Sequence, residues 1–145
     1  YPILIEVVFN LLVSLPDSPL NILIYPSILL MLAKDTSNCK KNIEFIQTSF
    51  KYFYDYADLI DPQALFKVAS VLGIYLSNTY KSNEMRINIE SFENQSNSLK
   101  MNFFIRQILW NLKSLLSKKI EDEEWIEPFK DFLLENEAFN LKYFG

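Results

Sequence analysis

Four consecutive acidic residues, Glu121-Asp122-Glu123-Glu124, form the densest set of potential metal ligands in this sequence. Carboxylate oxygens suit a hard cation. Acidic side chains at a helix start also face the positive end of its dipole without any ligand, and that plainer role is the expected one. Other chemistry has less to work with. The chain of 145 residues contains no histidine and one cysteine, Cys39. Histidine is the commonest general base and metal ligand, so thiol–histidine catalysis and a structural zinc site are excluded within this sequence. Two glycines leave no Gly-rich phosphate loop. A net charge of −4 gives no general hold on a phosphate backbone, and the pairs Lys40-Lys41 and Lys118-Lys119 are too small for a nucleic-acid patch. The aromatic cluster Tyr52, Phe53, Tyr54 and Tyr56 could stack bases. It lies beside Asp55 and Asp58 rather than in a basic groove, so core or protein-interface packing is expected instead. Trp110 and Trp125 are read the same way, as buried side chains. The expectation is a protein without catalytic residues, metal or cofactor, and without a small-molecule substrate.

The elements that carry these residues begin with an apolar stretch, Pro2 to Asp35. A membrane-spanning helix needs roughly 20 nearly uninterrupted apolar residues. Here Glu6 and Asn10 break the first run, which stops at Pro16. "PDSP" (16–19) then reads as a turn, with Asp17 or Ser18 as a cap and Pro19 in the first helical position. A signal peptide would need a basic start and a small-residue cleavage site, and neither is present. The stretch is therefore predicted to be an antiparallel helical hairpin, not a membrane segment. The chain starts with Tyr rather than Met, which fits a piece of a longer protein. A lone cysteine forms no internal disulfide, which favours an intracellular setting.

Apolar residues recur at helical spacing through most of the remainder. Ile43, Ile46, Phe50, Phe53 and Ala57 mark one face, with Ser37 or Asn38 as its cap. Tyr52, Tyr54 and Tyr56 fall partly off that stripe, so a second buried side is expected. Asp61 and Pro62 open the next helix, which carries Leu65, Val68, Leu72 and Leu76. Gly73 within it points to a close helix crossing. From 79 to 98 the chain turns polar, a long loop. In it Met85, Ile87 and Ile89 alternate with Arg86, Asn88 and Glu90, a short extended piece. The next helix has two apolar sides: Ile105, Leu109, Leu112 and Leu116 on one, Phe104, Ile108 and Leu115 on the other. It should lie between neighbours. Acidic residues then start a last helical stretch that Pro128 limits.

Five or six helices with hardly any strand predict a single all-α domain over 1–145. Its helices are expected in consecutive antiparallel hairpins that stack, HEAT-like, because each hairpin alone leaves an apolar face uncovered.

The order of these elements resembles a known family. "ILIEVVFNLLVSLPDSPLNILIYPSILLMLAKD" (3–35), "LFKVASVLGIYLSN" (65–78), "MRINIESFE" (85–93) and "FFIRQILWNLKSLLSKKI" (103–120) follow one another as similar segments do in one family. That family is the large subunit of the nuclear cap-binding complex, whose middle helical domain is shaped like the middle domain of initiation factor 4G. The resemblance implies a non-catalytic scaffold that forms a heterodimer with a small RNA-recognition-motif subunit. Capped RNA would be held through that partner, in the nucleus with shuttling to the cytoplasm, in RNA processing, export and nonsense-mediated decay. By position it places the partner surface at Asp35, Thr36, Ser37 and Asn38 and at the helix end Leu115, Leu116, Ser117 and Lys118. The alternative is another helical-repeat adaptor, a translation-initiation scaffold or a transport-receptor fragment.

Overall fold

Helix forms wherever the three-and-four spacing of apolar residues runs uninterrupted. The computed structural model describes residues 2–13, 23–35, 37–89, 99–116 and 123–129. Within them lie five α-helices: α1 (Pro2–Leu12), α2 (Ile24–Ala33), α3 (Cys39–Asp55), α4 (Pro62–Thr79) and α5 (Leu99–Leu116). Short 3-10 turns occupy Ala57–Leu59 and Glu124–Phe129. No strand occurs among the described residues, and the protein is all-α. No helix among them is long and apolar enough to cross a membrane. The "PDSP" turn and Glu90 lie outside the described residues.

Local chemistry accounts for the helix ends. The Asp61 carboxylate accepts the backbone N–H of Gln63 at 2.8 Å, and Pro62 fills the first helical position of α4, where its missing N–H costs nothing. Asp61→Ala should therefore lower stability by about 1 kcal/mol, read as a shifted urea midpoint, while Asp61→Asn should hold it. Pro26 sits in the first turn of α2, where proline is likewise tolerated. At the other end of α2 the buried Asn42 side chain donates to the Leu32 carbonyl at 2.8 Å. That carbonyl belongs to the last turn, where it otherwise accepts the Asp35 N–H at 3.3 Å in place of a full α-helical bond. The bond ties the end of α2 to the start of α3.

The middle of the molecule belongs to α4. Its buried residues run from Ala64 and Leu65 through Val68, Ala69, Val71 and Leu72 to Tyr75 and Leu76, covering more than one face. A helix apolar on most sides must be enclosed. α5 packs most extensively against it, with α2 and α1 on other sides. α3 packs on α1, α2 and α5. Phe50 of α3 stacks on Phe104 of α5 with ring centroids 5.8 Å apart, while the middle of α5 meets Gly73 of α4. The two-sided helix thus lies between neighbours, as expected. Leu115 is the exception. It continues the Phe104–Ile108 side but is 55% exposed.

The expectation of consecutive antiparallel pairs is corrected at α4 and α5, which run in the same direction. At one end Lys100 Nζ donates to the Asp58 and Ile60 carbonyls, at 3.4 and 3.2 Å, just before α4 begins. More than two turns further along both helices, Gly73 faces Ile108 and Asn111. An antiparallel pair in contact at Gly73 would carry Lys100 away from Ile60. The long connection 80–98 makes this direction possible. The length of α4 is about 27 Å, and a connection of that many residues can span about 60 Å when extended.

Part of that connection packs on the core. Ile87 and Ile89 are buried and Asn88 is exposed, while Met85 and Arg86 are both half-buried. The alternation read from the sequence thus holds over 87–89, with no strand beside it among the described residues. Tyr75 Oη donates to the Met85 carbonyl at 2.7 Å, and Asn88 N–H donates to Gln47 Oε1 at 2.9 Å. Burial pushes the Tyr75 hydroxyl well above the usual phenol range. The buried Trp125 ring lies against the Arg86 guanidinium, 4.6 Å from its centroid, a cation–π contact. Trp110 is only half-buried. The last described stretch is a 3-10 turn rather than an α-helix, since Pro128 lies inside it and cannot donate to a helical ladder.

Candidate functional site

The sequence-predicted partner residues fall in two places. Asp35 follows α2 and its Oδ1 accepts the Ser37 N–H at 3.0 Å, a local turn that engages the carboxylate. Ser37 is exposed. Asn38 precedes α3 as its cap residue, but its side chain makes no capping hydrogen bond. Leu115 is exposed, whereas Leu116 is half-buried and packed on the core. Thr36, Ser117 and Lys118 lie outside the described residues. No hydrogen bond among the described residues joins one segment to the other. Leu115→Glu should leave the urea midpoint nearly unchanged, while Leu116→Glu should cost about 1–3 kcal/mol. A loss of binding on Leu115→Glu therefore reports a surface, and one on Leu116→Glu reports the fold.

The acidic run is divided: Glu123 and Glu124 are described and Glu121 and Asp122 are not. Among the described residues no three His, Cys, Asp or Glu side chains gather. Cys39, at the first turn of α3, is partly buried.

A groove between α1 and α3 is better formed. On α1 the residues Ile5, Val8, Phe9 and Leu12 point into the core, at the spacing of one helix face. Glu6 and Asn10, one turn apart, stand beside that face and line the groove. On α3 the buried stripe Ile46, Phe50 and Phe53 leaves a second one open to solvent, with 45, 52 and the cap residue 56 exposed and 49 half-buried. Phe45, Tyr52 and Tyr56 on it are 39%, 54% and 50% exposed. The groove has a volume of about 440 Å³, the size of a few side chains.

Aromatic rings make its floor and one wall. Phe9 and Phe53 meet across the two helices at 5.5 Å. Tyr52 stands edge-on to Phe53 at 5.5 Å and leans on Tyr56 at 5.0 Å. Thr48 and Ser49 also line it, but each hydroxyl already donates to a backbone carbonyl one turn back, Glu44 at 2.8 Å and Phe45 at 2.9 Å. Outside the groove, Lys51 and Asp55 pair at 3.1 Å, an exposed bridge of little energetic weight.

Of the aromatic cluster seen in the sequence, Phe53 and Tyr54 are core and Tyr52 and Tyr56 are surface. The groove itself was missed. The signal for it was available in the off-stripe positions 45, 49, 52 and 56, which repeat at the same helical spacing as the core stripe. Nothing in the sequence pairs that stripe with α1. No protein-family model matches this chain, and neither a curated protein nor a solved structure matches it.

Proposed function

We propose that this chain is a non-catalytic helical scaffold domain that holds a protein partner on its surface. The observation that supports this reading is the α1–α3 groove: aromatic side chains held open to solvent by a helix whose opposite face is locked in the core. Exposed aromatics in a concave, pre-formed site are the usual anchors of protein docking.

In its specific form the domain is part of a nuclear cap-binding large subunit, with antiparallel hairpins elsewhere than at α4 and α5. It supports a small RNA-recognition-motif subunit that grips the methylguanosine cap. That form rests on the ordered segments 3–35, 65–78, 85–93 and 103–120. The short connection between α2 and α3, closed by Asn42, suits the hairpin architecture. The shared direction of α4 and α5 departs from it.

Pull-down of the full-length protein from its own cell extract tests the proposal. Recovery of a small RNA-recognition-motif subunit, retained on cap-analogue resin, is the expected result. Recovery of a DEAD-box helicase with initiation factors would move the domain to a translation scaffold, and importin cargo would move it to transport. Recovery of no protein partner would overturn the scaffold reading.

A further inference from the structure

The α1–α3 groove has a chemical polarity that its apolar floor conceals. Among the described residues Glu6 is the one charged group that lines it, and none of them gives its carboxylate a hydrogen bond or ion pair. The Thr48 and Ser49 protons are spent on carbonyls, so these hydroxyls present only lone pairs to an occupant. Asn10 is already engaged. Tyr52 and Phe45 add exposed ring surface, and ring faces carry negative potential. The Tyr52 hydroxyl and the Asn10 amide can donate as well as accept, so the bias toward a cation comes from the Glu6 carboxylate, the spent Thr48 and Ser49 hydroxyls and the ring faces. The nearest basic residues on α3 do not neutralise this. Lys51 pairs with Asp55, and Lys41 lies one turn before Phe45 and does not line the groove.

We propose that this groove receives an arginine side chain flanked by apolar anchors, carried on a segment of the partner protein. The proposal rests on the scaffold reading and names the chemistry of its docking site. Arginine fits better than lysine for two reasons. Its planar guanidinium stacks on aromatic rings, and its fork of donors matches a carboxylate. The flanking apolar side chains cover Phe9 and Phe53 on the floor and exclude water from the ion pair. The pair gains strength in that drier setting.

The test is an NMR titration of the whole chain with n-butylguanidinium, set against the neutral, near-isosteric n-butylurea and against n-butylammonium. Butylguanidinium should give saturable shifts centred on Glu6, Tyr52 and Phe53, with about tenfold higher affinity than butylurea. Glu6→Gln should remove most of that difference while leaving the melting temperature unchanged, since Glu6 is exposed. Tyr52→Leu should weaken butylguanidinium more than butylurea. Equal binding of charged and neutral probes would overturn the proposal, as would shifts spread evenly over all surface carboxylates. Butylammonium binding as tightly as butylguanidinium would overturn the choice of arginine. The scaffold reading fails separately. If the pull-down partner is still retained by Glu6→Gln and Tyr52→Ala variants, the groove proposal falls and the scaffold stands. If no partner is recovered while butylguanidinium binds beside Glu6, the cation site stands and the scaffold falls.

Discussion

Gly73→Val is expected to cost about 3 kcal/mol or more, a large share of the 5–15 kcal/mol that holds a typical domain together. A Cβ at this position would stand 2.7 Å from the Asn111 Cβ and 3.3 Å from the Ile108 carbonyl oxygen. Carbon atoms in contact sit about 3.5–4.0 Å apart, so something must move. Neither neighbour is the free end of a side chain. One is fixed to the α5 backbone and the other is that backbone. The helices must separate across the most extensive helix interface among the described residues. Alanine poses the same contact without valine's two methyl groups. It also recovers about 1 kcal/mol of helix propensity, so Gly73→Ala should cost less, about 0.5–2 kcal/mol. Removing the opposing atom isolates the cause. Asn111→Gly in the Gly73→Ala background should show a favourable coupling of about 1 kcal/mol or more in a double-mutant cycle. Urea unfolding followed by circular dichroism measures each variant. A Gly73→Val protein as stable as the parent would mean that α4 and α5 do not cross here.

Phe50→Ala should be as damaging, at about 3–5 kcal/mol, while Tyr52→Ala two residues away should cost no more than about 1.5 kcal/mol. Phe50 is fully buried and its ring joins α3 to α5 through Phe104. Truncating it removes apolar contact from both helices and leaves a cavity that the packed core fills only in part. Tyr52 is 54% exposed and touches Phe53 and Tyr56 at the groove wall. Losing it forfeits ring contacts worth about 0.5–1.5 kcal/mol at most. Its effect should appear in binding instead. The contrast is read from unfolding midpoints of the two variants side by side. Similar losses would show that the aromatic residues of α3 are not divided between core and surface as described.

Several features were legible in the sequence because they are local. The spacing of Ile46, Phe50 and Phe53 selects a helix face through the 3.6-residue period alone. Asp61 followed by Pro62 begins a helix through bonds that reach two residues. The alternation at Met85, Ile87 and Ile89 states which side chains turn inward without saying what they meet. Even the close crossing at Gly73 was readable, since a glycine inside an apolar helix has few other uses. The partner of that crossing was not. Whether α5 lies parallel or antiparallel to α4 depends on the path of 80–98, and a long connection allows either at similar entropic cost. The anchoring of Ile87 and Ile89, Tyr75 to Met85 and Lys100 to Ile60 decided it. The aromatic cluster divides on the same principle. Tyr52, Tyr54 and Tyr56 are chemically alike, and the sequence determined only that α3 has aromatics on more than one side. Which of them entered the core was decided by where α1, α2 and α5 cover the helix. The groove belongs wholly to the tertiary structure, because Glu6 and Tyr52 share a site only after two helices far apart in the chain have packed.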